Sequence, residues 1–189
     1  MNTLQAKWDA IYSQRRQAEA AKVLVEHTFL LPKNGRALDL ACGLGENALL
    51  MAKCGLNVDA WDISLVALQK LQTQAVSRNL QINPRFCNIS TELLPKDTYD
   101  VIVISRFLDR ELCNAIMAAL KIGGLLFYQT FTRNKLAEDG PNNPDFLLAN
   151  NELPHLFAAL TLVYYREYAR IGDLRYGDRN EASYIGQKF

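Results

Sequence analysis

From about residue 36 onward, short apolar runs alternate with longer helical stretches, and that alternation limits the possible folds more than any other feature. The runs are Ala37 to Ala41, Val58 to Trp61, Arg85 to Cys87, Val101 to Ile104 and Leu125 to Gln129. Between them, Ala48 to Lys53 reads as a helix stopped by Gly55, and Leu65 to about Arg78 as a longer one capped by Ser64. A third helix is expected from about Arg110 to Leu120, closed by Gly123-Gly124. Repeats of this kind predict an α/β fold, a parallel sheet wrapped by helices. Right-handed crossovers then bring the C-terminal ends of the strands to one rim, where open α/β sheets bind ligands.

The flanks read differently. Thr3 to about His27 suits one or two amphipathic helices, with Trp8 and Tyr12 one turn apart on a shared face, before the turn Pro32-Lys33-Asn34-Gly35. After Thr130 come a polar loop, Thr132 to Asn143, a helix from Glu152 to about Ala159, and two strand-like runs, Leu162 to Tyr168 and Ser183 to Gln187, that suit a hairpin.

A length of 189 residues favours one domain. Within it we expect a helical lid over 1–31, a ligand-binding core over 36–130, and a substrate-side loop, helix and hairpin over 131–189. The balance of 21 basic against 20 acidic residues argues against broad capture of nucleic acid, so no such partner is expected. Cys42, Cys54, Cys87 and Cys113 form no C-x-x-C pair, which suggests buried reduced thiols and no metal site. No apolar stretch approaches the ~18 residues of a membrane span, and the N-terminus has no signal-like core. These features point to a soluble cytoplasmic protein and leave its oligomeric state open.

The chemistry concentrates in Leu38-Asp39-Leu40-Ala41-Cys42-Gly43-Leu44-Gly45-Glu46-Asn47, which joins the first strand to the first helix, and in Asp62 at the end of the second strand. The glycine spacing fits a nicotinamide or flavin dinucleotide site, with Asp62 on the ribose. It equally fits S-adenosylmethionine. Asp39, four residues before Gly43, favours the second reading: a carboxylate there repels a pyrophosphate and attracts a ligand bearing an ammonium and a sulfonium. Asp62 can accept from both ribose hydroxyls. A P-loop is excluded, because no Gly-Lys-Ser/Thr follows the glycines.

At these residues the chain resembles the class I S-adenosylmethionine-dependent methyltransferases. DLACGLG is similar to their acid-x-Gly-x-Gly-x-Gly motif, with Ala41 replacing the first glycine, a small-for-small change; NVDAWDIS, TYDVIVIS and LKIGGLLFYQTF are similar to the motifs of strands two, four and five. Within that family the nearest likeness is to the tellurite-resistance-type and thiopurine-like small-molecule enzymes, carried by Trp8 and Tyr12, Asn47, VDAWD and NPDFLLANNEL. The resemblance implies a single Rossmann-like domain, a seven-stranded, mostly parallel sheet in the order 3-2-1-4-5-7-6 with helices on both faces and an antiparallel C-terminal hairpin. It also implies S-adenosyl-L-methionine as cofactor, S-adenosyl-L-homocysteine as product, and in-line methyl transfer to a small acceptor such as a metalloid oxyanion or a thiol. An NAD(P)-dependent oxidoreductase and a non-catalytic S-adenosylmethionine-binding regulatory module are the alternatives.

The expected cofactor-binding residues are Asp39, Ala41, Gly43, Gly45, Asn47, Asp62, Ile63, Asn88, Ile89 and Ser105. Ile63 and Ile89 are placed to sandwich the adenine, and Asn88 to meet its amino group. Tyr12, Arg106 and Arg133 are the acceptor-side candidates, with Arg166, Arg170 and Arg175 extending a late basic surface. His27 and His155 show no triad pattern and receive no acid-base role.

Overall fold

A computed structural model describes residues 3–15, 18–138 and 140–189; the expectations for residues 1, 2, 16, 17 and 139 lie outside the described residues. Seven strands form one sheet in the expected order: β1 (Arg36–Leu40), β2 (Asn57–Asp62), β3 (Ile82–Phe86), β4 (Tyr99–Ser105), β5 (Leu120–Phe131), β6 (Thr161–Arg166) and β7 (Glu181–Gln187) run spatially as 3-2-1-4-5-7-6. The first five pair in parallel, and β7 runs antiparallel between β5 and β6. The helices are α1 (Thr3–Gln14), α2 (Lys22–Glu26), α3 (Glu46–Lys53), α4 (Leu65–Ser77), α5 (Cys113–Ala119) and α6 (Glu152–Leu156).

Side chains of a strand alternate between the two faces of a sheet, and the buried residues sort accordingly into two cores. Leu38, Leu40, Ile102, Ile104, Leu126 and Tyr128 pack with Ile116 of α5 and Leu153 of α6. Ala37, Val58, Ala60, Val101, Val103 and Phe127 pack with Leu24 of α2, Leu49 of α3 and Leu71 of α4. By the same alternation Asp39, Asp62, Ser105, Gln129 and Glu181 all point to the α2-α3-α4 side, at or near the strand ends. A polar seam thus runs across one face of the rim.

Some boundaries differ from the sequence reading for identifiable reasons. β3 begins at Ile82, earlier than expected, because Pro84 is tolerated in a strand at the sheet edge. Gly123-Gly124 does not close the third helix. The chain turns straight from α5 into β5, whose register against β4 jumps from Tyr99↔Leu120 to Val101↔Leu125, and the glycines sit in that irregularity. There Gly123 donates to the Lys188 carbonyl at 2.7 Å and the Lys188 amide to that of Gly124 at 3.0 Å. β6 also slips register against β7 between Leu162 and Tyr164.

The glycine turn between β1 and α3 alternates left-handed residues: Ala41 at φ 57°, Gly43 at φ 53° and Gly45 at φ 80°. Ala41 alone of the three carries a side chain, so exchanging alanine for glycine here is not conformationally neutral. Left-handed backbone costs a non-glycine residue roughly 1–2 kcal/mol, which partly outweighs the extra unfolded-state freedom of glycine. Ala41→Gly should therefore raise unfolding free energy by up to about 1 kcal/mol in urea titrations; a loss of that size would show that the turn is unstrained.

Candidate cofactor and acceptor site

At the centre of the rim two buried carboxylates flank the glycine turn. Asp39 is fully buried; its Oδ2 accepts from the Ala48 amide at 3.0 Å and its Oδ1 from Asn47 Nδ2 at 3.4 Å. Asp62 accepts through Oδ2 from the Gly43 amide at 2.7 Å and through Oδ1 from the Ser64 amide at 2.8 Å. Among the described residues neither forms an ion pair. Burial raises the Asp39 carboxyl to about 7, opposed by its hydrogen bonds and reinforced by Asp62. Burial likewise raises Asp62, against the amides of Ser64 and Gly43. Two buried acids without a counter-cation form a site suited to a positively charged ligand.

Asn47 ties the seam together. Its Nδ2 donates to Asp39 and, at 3.0 Å, to Ser105 Oγ, while its Oδ1 accepts from the Ala21 amide at 2.8 Å. Next along the rim, Gln129 Oε1 accepts from the Val23 amide at 2.9 Å and its Nε2 donates to Glu181, whose other oxygen holds Arg106 Nε at 2.7 Å. The sequence signal for Gln129 was a lone amide inside the apolar run LLFYQTF; nothing comparable marked Glu181.

The other expected site residues fall into place unevenly. A Cβ on Gly43 would lie 2.5 Å from the Tyr12 hydroxyl, so the N-terminal helix covers the turn; burial and the charge of Asp62 push the Tyr12 phenol upward. At Gly45 the side-chain space is filled instead by Leu71 of α4, so a Cβ there would clash with the helix packing. Ile63 is half-buried beside Asp62, and Ile89 is partly buried against the α5-side core. Asn88 is exposed and makes no hydrogen bond among the described residues.

On the acceptor side, Arg106 is half-exposed, left-handed at φ 53°, and already ion-paired through Nε. It lines a cavity of about 620 Å³ with Arg15, Glu19, Glu46 and Arg78. Arg133 is exposed, and its amide donates to the Leu148 carbonyl. The late basic surface is only partly available, since Arg166 pairs with Glu26 and Arg175 with Asp173. Arg110, which the sequence did not mark, grips Glu152 through Nε at 2.6 Å and the carbonyls of Asp145 and Leu147, fixing the loop before α6. His27 and His155 each bond through Nδ1 to a carbonyl four residues back. All four cysteines are free; Cys42 and Cys113 are buried, whereas Cys54 and Cys87 are only partly so.

The family profile described as "Tellurite resistance protein TehB" matches residues 4–189. The chain belongs to the TehB family. A curated relative from Haemophilus influenzae, "Probable S-adenosyl-L-methionine-dependent methyltransferase TehB", is 28% identical over 154 residues, covering 77% of this chain and 52% of the relative. The chain therefore spans about half the length of the curated relatives it matches. The crystal structure of TehB from Haemophilus influenzae superposes with TM-score 0.72 at 21% identity over 96% of this chain and 67% of that one. Geranyl diphosphate C-methyltransferase from Streptomyces coelicolor, solved with S-adenosyl-L-homocysteine, superposes with TM-score 0.71 at 12% identity over 100% and 99%. At these identities the superpositions establish the fold. Among the described residues no helix is long and apolar enough to cross a membrane.

The raised Asp39 carboxyl gives the site a pH signature. Without ligand, stability should fall as pH rises from about 4 to about 7, because the folded state keeps a proton that the unfolded chain has released. A cationic ligand favours ionised Asp39, so binding expels that proton and tightens as pH rises. Affinity for S-adenosylmethionine, measured by calorimetry, should therefore increase between about pH 5.5 and 7.5, and Asp39→Asn should flatten the profile. An unchanged slope in that variant would place the titrating group elsewhere.

Proposed function

We propose that this chain is an S-adenosylmethionine-dependent methyltransferase acting on a small-molecule acceptor, a metalloid oxyanion or a thiol. The observation that carries the cofactor reading is the bond from the Gly43 amide to Asp62. In a dinucleotide site the amides of the glycine turn serve the pyrophosphate. Here the first is already given to a carboxylate, with a second buried acid beside it, and a diphosphate would meet uncompensated negative charge. A cationic aminoacyl nucleoside meets the opposite. Family membership and the names of the curated relatives support the same reading.

The residues divide the work by position. Each Asp62 oxygen keeps an acceptor site beyond its backbone bond, so the pair can take both ribose hydroxyls. Asp39, steered by Asn47, places negative charge on the aminoacyl side. Ile63 and Ile89 would border the base, and Asn88 would meet its edge. When bound, S-adenosylmethionine would supply an electrophilic methyl group on a sulfonium, suited to in-line transfer to an acceptor's lone pair. The protein then contributes alignment and exclusion of water, worth roughly 7–11 kcal/mol when the reacting atoms are well oriented. A soft acceptor needs no strong base, in keeping with histidines bound to backbone carbonyls. Arg106, held by Glu181 at the cavity, and Arg133 across the rim are suited to an anionic acceptor.

Calorimetry should show S-adenosyl-L-homocysteine binding and NADH failing to bind; the reverse would defeat the reading. Asp62→Ala should weaken the nucleoside by ~2–3 kcal/mol through loss of charge-assisted bonds. The fold should not weaken in parallel, because relief of carboxylate burial offsets the two lost backbone bonds. Radiolabelled methyl transfer should mark tellurite, selenite or small thiols. Label confined to protein or RNA fractions would overturn the acceptor class.

A further inference from the structure

The N-terminal helix has no fully buried side chain, yet it lays Tyr12 across the glycine turn. An apolar stripe does not anchor it. Its attachment to α4 is instead reciprocal and polar. Asp9 Oδ1 accepts from Ser64 Oγ at 2.6 Å and from the Val66 amide at 3.2 Å, adding a carboxylate to the start of α4 beside that helix's own cap, Ser64 to the Ala67 amide. In return Lys70 of α4 donates to the carbonyls of Tyr12 at 2.5 Å, Arg15 at 3.0 Å and Ser13 at 3.3 Å, at and just beyond the C-terminal end of α1, which has no basic residue in its own final turn. Each helix thus completes the free end of the other. Ser64 also lends its amide to Asp62, so this attachment and the ribose acid share one residue.

We propose that Asp9 and Lys70 are positioning residues that latch α1 onto α4 and thereby hold Tyr12 over the bound nucleoside, setting the rate at which it leaves. The inference rests on the cofactor reading above for its ligand, but not for the latch. Lys70 lies one turn beyond Val66 and reaches the C-terminal end of α1, while Asp9 in the middle of that helix faces Ser64, so α1 is held at two points along α4. Trp8, stacked on Tyr12 with ring centroids 5.7 Å apart, stiffens the part that is held.

The test uses the full chain with Lys70→Met, Lys70→Arg and Asp9→Ala. In hydrogen exchange without ligand, protection across the α1 peptide should drop in Lys70→Met and Asp9→Ala while the sheet stays protected, and Lys70→Arg should recover most of it. In stopped-flow displacement, release of S-adenosyl-L-homocysteine should quicken about tenfold in the first two variants, with association changed less than twofold and partial rescue by arginine. Unchanged α1 protection overturns the latch. So does lost protection with an unaltered release rate, since α1 would then be docked there without retaining anything. If the wild-type chain binds no S-adenosyl-L-homocysteine, the cofactor reading is what fails, and the exchange comparison still decides whether Lys70 and Asp9 hold the helix.

Discussion

A pair of acids with no cationic partner among the described residues, enclosed at the end of a parallel sheet, is the constraint to which the rest of this molecule answers. Asp39 and Asp62 survive burial because backbone amides, and one side-chain amide, point at them. Those donors come from the first turn of α3, from the glycine turn and from the segment entering α4. Their geometry follows from the strand ends themselves: β1 stops, the backbone passes through alternating left-handed residues, and α3 begins with its free amides aimed back at β1. Hydrogen bonds reduce the burial penalty without removing it, which is why the acids remain predisposed toward a positive guest.

Much of the fold was legible in the sequence because short continuous apolar runs and strand-helix alternation are local signals. Val101 to Ile104, apolar throughout because both its faces are buried, needed nothing beyond its own pattern. Boundaries were lost where tertiary context overruled a local rule. β3 begins before the apolar run that marked it, since Pro84 is permitted in a strand that lies at the sheet edge. Gly123-Gly124 suggested a helix terminus, whereas pairing with Lys188, sixty-odd residues later, makes them part of a strand irregularity that no local window contains.

The site was legible to a different depth on its two sides. Asp39, Gly43 and Asp62 belong to one contiguous strand-turn-helix unit and its neighbour, and the fold brings them together as expected. At Gly45 the missing side chain makes room for Leu71, a packing constraint that the glycine spacing alone did not reveal. Glu181 and the Arg110 to Glu152 pair were invisible because their partners lie dozens of residues away, and a charged residue in isolation looks like any solvated one, whereas Gln129 showed only as a lone amide in an apolar run. Arg106 shows the difference: sequence offered it as an anion anchor, and the structure adds that a buried glutamate has first claim on its Nε.

The two outermost strands carry a consequence of their own. An open sheet ends in backbone groups that can recruit a foreign strand, and at β3 and β6 this chain interrupts them, with Pro84 removing an amide on one side and the slip between Leu162 and Tyr164 bending the other. Neither border offers a long, flat template. Self-association by sheet extension, and the fibrous aggregation that can follow from it, are thereby discouraged at both ends.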